Sequence, residues 1–145
     1  MIPFTKISIT DVEKEYINEA LTNSKICGDG VFTKKCNEWF KENCKITNFL
    51  LTTSGTHSLE LAALLAELKA YDEVILPSYT FVSTADAILL RGAKPVFVDI
   101  DKRTLNIDEN LIEERITEKT KAIVPVHYAG VACNMDKIME IAKKH

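Results

Sequence analysis

Short apolar runs recur along this chain at a nearly even spacing, and that rhythm constrains its fold more than any other feature. The runs begin near residues 49, 73, 95 and 121, and segments with helical periodicity lie between them. Strands that alternate with helices form parallel sheets whose two faces are both buried. The sequence therefore predicts an α/β fold with a mostly parallel sheet, flanking helices and four short strands. The four predicted strands contain residues 49–51, 74–76, 96–98 and 122–124.

Polar signals mark where the helices begin. Thr10 and Glu13 fit a capping box at the start of a first helix. A second helix is predicted over residues 33–44, and its inward-facing side chains are predicted to be Cys36, Trp39 and Phe40. The remaining predicted helices cover residues 59–68, 81–90 and 111–116, the last with Asp108 as its N-cap. We interpret residues 1–45 as an N-terminal helical segment and residues 46–145 as the first part of a larger α/β domain.

Composition limits the class of protein. The 145 residues carry a formal net charge of −3, so the basic excess typical of nucleic-acid binding is lacking and no nucleic-acid partner is expected. No apolar stretch approaches the ~20 residues that span a bilayer, and we expect a cytoplasmic protein with no membrane partner. No cysteine pair has the C-x-x-C spacing, so no metal site is expected and the thiols are predicted to be reduced and mostly buried.

In a parallel sheet, ligands bind beyond the carboxyl ends of the strands. Three segments fall at that edge: residues 52–57, 77–81 and 125–130. In the first, Gly55 allows a phosphate to approach the backbone, Ser54 and Thr56 supply hydroxyls, and the next helix begins with free N–H groups. The chain has neither a P-loop nor a G-x-G-x-x-G motif, so ATP and NAD are poor candidates. A capped helix without a ligand explains these residues equally well.

The other two segments carry aromatic and histidine side chains. Tyr79 and Phe81 could stack on a flat cofactor ring, although core packing is the commoner role of a phenylalanine at such a turn. His127 could contact a ligand, but such a residue more often satisfies neighbouring backbone groups. Asp99 and Asp101 follow a predicted strand, and a polar turn is favoured there over metal or acid–base chemistry.

Four segments, taken in order, resemble the DegT/DnrJ/EryC1/StrS sugar aminotransferases. They are LTTSGT at 51–56, DEVILPSYTFVST at 72–84, GAKPVFVD at 92–99 and VPVHYAG at 124–130. Three shorter motifs resemble the members that form dTDP-4-amino-4,6-dideoxygalactose for enterobacterial common antigen. These motifs are CGDG at 27–30, LRGAK at 90–94 and VACNMD at 131–136.

The resemblance implies the N-terminal portion of an aspartate-aminotransferase-like large domain, incomplete in this chain, and a pyridoxal 5′-phosphate (PLP) cofactor. It places the phosphate-binding turn on Gly55, Thr56 and His57 and the ring-stacking aromatic on Phe81. Relatives usually carry a small residue in place of His57, whose backbone N–H is the expected contact. The implied reaction moves an amino group from glutamate to C4 of a dTDP-4-keto-6-deoxy sugar, and the implied assembly is a homodimer.

In sequences of this family, two catalytic groups come after the position that matches His145. One is the lysine that holds PLP covalently, and the other is the acid that pairs with the pyridine nitrogen. No catalytic residue is therefore assigned here, and residues 1–145 alone are expected to be inactive. A non-catalytic, truncated paralogue that binds a nucleotide-sugar or a full-length subunit is the main alternative. A small flavodoxin-like binding domain fits the strand–helix alternation but leaves the motifs unexplained.

Overall fold

The computed structural model describes residues 2–3, 5–24 and 26–145. They form two compact units, residues 1–51 and residues 52–145. The division after residue 45 that we expected from the sequence stays a prediction. The described part contains no helix long and apolar enough to cross a membrane.

The first unit contains helices α1 (Asp11–Thr22) and α2 (Val31–Cys44). The predicted capping box is present, because the backbone N–H of Thr10 donates to the Glu13 carboxylate at 2.7 Å. The inward position predicted for Trp39 is wrong. Its side chain is 55% exposed and packs edge-on against Phe40, with ring centroids 5.1 Å apart.

The second unit is built on a sheet of three parallel strands in the order β2-β1-β3. These strands are β1 (Glu73–Pro77), β2 (Lys94–Val98) and β3 (Thr120–Ile123). Every residue of β1 is buried, as expected for a central strand whose two faces are both covered. The α/β class with a parallel sheet and flanking helices is confirmed.

The predicted first strand, residues 49–51, is wrong. These residues have no regular secondary structure, and Leu50 is 71% exposed. A strand is held by ladder hydrogen bonds to a neighbour, and within the described residues the sheet contains only β1, β2 and β3. An apolar run alone therefore did not determine a strand here.

Side chains along β1 alternate between two cores. Val74 and Leu76 pack with residues of α3 (Gly55–Leu65) and α4 (Ser83–Leu89) on one face of the sheet. Ile75 points to the opposite face, where it packs with Ile138 and Ile141 of α5 (Met135–Lys144). Side chains along a strand alternate between the two faces of a sheet. Because Val74 and Leu76 share one face, the helices that pack on them, α3 and α4, lie on the same side of the sheet.

Several predicted helices differ in extent from the observed ones. α4 is shorter than predicted and is followed by Gly92, whose φ of +74° and N–H bond to the Leu89 carbonyl at 2.8 Å turn the chain into β2. Residues 111–116 were predicted as a helix, but two short 3₁₀ turns stand there, Glu109–Leu111 and Glu113–Arg115. Asp108 does cap the first, accepting the Asn110 N–H at 3.0 Å.

All four cysteines are free, but the expectation that they are mostly buried is wrong. Cys27 and Cys44 are exposed, Cys36 is half-buried and Cys133 is buried. Burial, together with the negative charge of Glu109, raises the pKa of the Cys133 thiol. The buried thiol lies on the core side of the sheet covered by α5.

Candidate functional site

The start of α3 forms the first part of the carboxyl edge of the sheet. Ser54 is the N-cap in an extended conformation, and the first helical bond runs from the Ser58 N–H to the Ser54 carbonyl at 3.1 Å. The helix begins at Gly55, ahead of the segment 59–68 predicted from the apolar pattern. Within the described residues, the N–H groups of Gly55 and Thr56 have no acceptor. The first turn therefore presents two free donors and the positive end of the helix dipole.

His57 is held differently from its neighbours. Its backbone N–H donates to Ser54 Oγ at 3.2 Å, and its ring Nδ1 is hydrogen-bonded to the hydroxyl of Thr53. The backbone N–H that the resemblance assigns to the phosphate is thus bonded to the Ser54 cap in this structure. A role for His57 in cofactor binding stays a prediction.

Phe81 lies on the same edge as this turn. The hydroxyl of Thr56, at the start of α3, is hydrogen-bonded to that of Ser83, at the start of α4, at 2.9 Å. The Phe81 carbonyl accepts the Thr84 N–H at 3.1 Å and so fixes the loop against α4. The Phe81 side chain is 73% exposed, so it is not a core residue of this chain. The loop that carries this exposed ring is thus joined to the turn with the free N–H groups by the Thr56–Ser83 bond.

The end of β2 closes the edge on one side. The Ser78 N–H donates to the Val98 carbonyl at 2.8 Å, and the Ser78 hydroxyl donates to the Asp99 carboxylate at 3.4 Å. Asp101 is paired with Arg103 at 3.1 Å, and this hydrogen bond lowers the pKa of Asp101. The two aspartates belong to a hydrogen-bonded turn. The described residues contain no cluster of three or more metal-binding side chains.

A pair of tyrosines lies at the ends of β1 and β3. The Tyr128 hydroxyl donates to the Tyr79 hydroxyl at 3.1 Å, and the ring centroids are 4.9 Å apart with the planes tilted by 38°. This hydrogen bond, with a smaller effect of burial, raises the pKa of Tyr128, so Tyr128 remains a donor at neutral pH. The sequence left open whether Tyr79 stacks on a cofactor or packs in the core; in the structure its ring packs against that of Tyr128.

Asn106 was missed by the sequence analysis, although it holds the third edge segment in place. Its side chain is buried, accepts the Tyr128 N–H at 2.9 Å and donates to the Val131 carbonyl at 3.0 Å. His127 Nδ1 accepts the Cys133 N–H at 3.0 Å, as expected for a histidine that satisfies the backbone. No local motif marks Asn106, because its partners lie more than twenty residues away in sequence.

Gly55 is not required by packing within the chain. A β-carbon built at Gly55 would meet no atom within 4 Å. The space in front of this residue is open, next to two free N–H donors and within the same edge as an exposed aromatic ring. This arrangement can take an anion at the turn and a flat ring beside it.

The fold and this edge define a class: α/β proteins with a parallel sheet and an open helix start beyond the carboxyl ends of its strands, the place where ligands bind in such sheets. A family profile matches residues 8–145, and the chain belongs to the DegT/DnrJ/EryC1/StrS aminotransferase family. GDP-perosamine synthase of Escherichia coli O157:H7 is 39% identical over 142 residues, which cover 98% of this chain and 39% of that protein. The chain therefore spans about two fifths of the length of this relative.

Solved structures agree with the family. The aminotransferase from Psychrobacter cryohalolentis superposes with a TM-score of 0.92 at 34% identity, over 99% of this chain and 37% of that one. The E. coli GDP-4-keto-6-deoxy-D-mannose-3-dehydratase, solved with bound hydrated PLP, superposes with a TM-score of 0.87 at 29% identity, over 97% of this chain and 38% of that one. The fold of this chain is therefore that of a part of these two enzymes, 37% and 38% of their respective lengths.

Proposed function

We propose that the complete protein carrying these residues is a PLP-dependent aminotransferase that moves an amino group from glutamate to C4 of a dTDP-4-keto-6-deoxy sugar. The observation that carries the proposal is the 2.9 Å bond between Thr56 and Ser83, which holds the α3 turn and the Phe81 loop side by side. PLP, when bound, supplies the electron sink for amino transfer. This chain contributes residues that hold the cofactor, and membership of the family supports the reaction type.

The residues at the α3 turn fit the phosphate of PLP. The free N–H groups of Gly55 and Thr56 are the proposed donors, and the open space at Gly55 allows the phosphate to reach the backbone. Ser54 caps the helix and leaves these two groups unpaired by taking the His57 N–H instead. We assign His57 a supporting position beside the phosphate, with its ring held back by Thr53.

Phe81 fits the ring of the same cofactor. Its exposed side chain stands on the edge that also holds the phosphate donors, and an aromatic residue there covers one face of a flat pyridine ring. Covering that face excludes water from one side of the cofactor and fixes its plane. The residues proposed to hold the phosphate and to cover the pyridine ring all belong to this chain.

The nucleotide and the sugar are proposed from the motifs at 27–30, 90–94 and 131–136. These motifs resemble members that use dTDP-linked sugars, whereas the E. coli relative is named for a GDP-linked product. We therefore take dTDP as the proposed nucleotide and GDP as its competitor. A homodimer is the proposed assembly, as the family resemblance implies.

The complete protein provides the test. Purified with PLP, it should show cofactor absorbance and should convert a dTDP-4-keto-6-deoxy sugar with glutamate to the 4-amino sugar, identified by mass spectrometry. Conversion of only the GDP-linked sugar would correct the nucleotide and keep the reaction. PLP absorbance without turnover of either sugar would refute the proposed reaction, and no cofactor binding at all would favour a non-catalytic paralogue.

A further inference from the structure

The tyrosine pair at the ends of β1 and β3 is not used by the proposed cofactor site. Tyr79 is 47% exposed, and its oxygen accepts the hydrogen bond from Tyr128. The Tyr79 O–H proton has no acceptor of its own among the described residues. Tyr79 therefore presents a hydroxyl donor and an aromatic face on the edge where Phe81 and the α3 turn lie.

The pair is held in place by buried groups. Both ends of the Asn106 amide are used by the segment that carries Tyr128, one by the Tyr128 N–H and one by the Val131 carbonyl. Between these points Ala129 and Gly130 adopt positive φ angles of 50° and 81°. A loop fixed in this way orders Tyr128 before any ligand arrives, which reduces the entropy cost of binding through it.

The chemistry of the pair is that of sugar recognition. Two neutral hydroxyls on aromatic rings donate and accept hydrogen bonds with sugar hydroxyls and pack against the apolar face of a sugar ring. A phosphate is disfavoured here, because its negative charge would be repelled by the Asp99 carboxylate, which accepts the hydrogen bond from the hydroxyl of neighbouring Ser78. Tyr79 and Tyr128 lie in the segments that follow β1 and β3, which are adjacent strands of the sheet, and Phe81 is two residues after Tyr79.

We propose that Tyr79, oriented by Tyr128, contacts the sugar part of the nucleotide-sugar substrate and orients it for amino transfer. This proposal rests on the proposed function and adds to it the group that recognises the sugar. Tyr79 is a substrate contact, and Tyr128 is a positioning residue that acts through Tyr79.

The test compares Tyr79→Phe and Tyr128→Phe in the complete protein with Tyr71→Phe as the matched control. Tyr71 is also an exposed tyrosine, 82% accessible, but it precedes β1 at the amino end of the strand. In a two-step amino transfer, kcat/KM for each substrate reports the step that consumes it. For Tyr79→Phe we expect kcat/KM for the keto sugar to fall about five- to tenfold, the effect of one lost hydrogen bond, with kcat/KM for glutamate unchanged.

A binding measurement keeps the proposal independent of turnover. Calorimetric titration with the dTDP-linked and GDP-linked 4-amino sugars should show weaker binding to Tyr79→Phe than to wild type. Free dTDP should bind the two proteins with equal affinity, and so should free GDP. Tyr128→Phe should also bind the 4-amino sugars more weakly than wild type, but by a smaller factor than Tyr79→Phe. Equal sugar affinity in wild type and Tyr79→Phe, or an equal fall in kcat/KM for both substrates, would overturn the proposal. If the wild-type protein binds the sugar through Tyr79 but lacks turnover, the proposed reaction fails and this contact stands.

Discussion

Ser54, Gly55 and Thr56 have three different roles at the start of α3. Ser54 caps the helix by accepting the His57 N–H, and Thr56 connects the turn to α4 through Ser83. Gly55 leaves open space where any other residue would place a β-carbon. Substitutions at these neighbouring positions are therefore expected to separate stability from cofactor binding.

Replacing Gly55 with alanine should separate the two properties cleanly. The added methyl group meets no atom within 4 Å in the chain. The free energy of unfolding of the cofactor-free protein, measured by thermal denaturation, should therefore be unchanged or higher by up to about 1 kcal/mol. The same methyl group crowds a phosphate against the turn, and PLP affinity should fall roughly tenfold in an absorbance titration. Unchanged affinity together with unchanged stability would show that no ligand approaches this residue.

Phe81→Ala should weaken PLP binding by removing one stacking surface. We expect a loss of about 1 kcal/mol, roughly fivefold in the dissociation constant, measured by absorbance titration of the complete protein. Tyr71→Ala is the control, since Tyr71 is also an exposed aromatic residue but lies at the opposite end of β1. Equal cofactor affinity in the two variants would contradict a role for Phe81 in stacking.

At the scale of elements, Glu73 links the strands at the amino end of the sheet. This carboxylate begins β1, is only 8% exposed, accepts the Thr117 hydroxyl at 2.7 Å and pairs with Lys94 of β2 at 2.9 Å. The hydrogen bond from Thr117 and then that from Lys94 lower the pKa of Glu73. The ionised form is thus favoured in the folded state and connects the segment before β3 to β2.

Stability should therefore depend on pH through Glu73. A carboxyl whose pKa is lowered by folding stabilises the folded state above its unfolded pKa, and this contribution is lost as the pH falls through the lower folded value. Glu73→Gln should be less stable than wild type at neutral pH. The difference in free energy of unfolding between the two proteins should become smaller as the pH falls below about 4.3, where free glutamate titrates. Urea unfolding at several pH values measures this, with exposed Glu118→Gln as control. A gap independent of pH would mean that the ionised form contributes nothing.

At the scale of the whole molecule, the chain provides the edge that we propose holds the cofactor, but no residue that we assign to covalent chemistry. The family resemblance places the lysine that binds PLP after residue 145, and the chain covers 39% of its E. coli relative. The strands β2 and β3 are the outer strands of the described sheet. We therefore expect amino transfer from the complete protein and not from residues 1–145 alone.

Borohydride reduction followed by peptide mapping tests this division. Residues 1–145 expressed alone and incubated with PLP should yield no stoichiometric pyridoxyl-lysine, whereas the complete protein should yield one, at a position after 145. A single fully labelled lysine within residues 1–145 would contradict the prediction. Partial labelling spread over many exposed lysines is the background expected of any protein.

The sequence determined the local features: the capping box at Thr10, the apolar runs of β1 and β2, and the family motifs. Each depends on residues a few positions apart, whose preferences act wherever the segment lies. Helix α5 was missed although its signals are local, an Asn134 cap and inward Ile138 and Ile141. The cofactor residues could be named from the sequence, but only because motifs supplied them, and their role remains a prediction.

Only the tertiary structure decided the rest. Whether residues 49–51 form a strand depends on a neighbouring strand to bond with, and whether Phe81 is core or exposed depends on what packs over it. Asn106 gained its function from partners more than twenty residues away, and the Tyr79–Tyr128 pair from the adjacency of β1 and β3. Contacts between distant segments depend on how the sheet assembles, and a local pattern carries no information about which strands become neighbours.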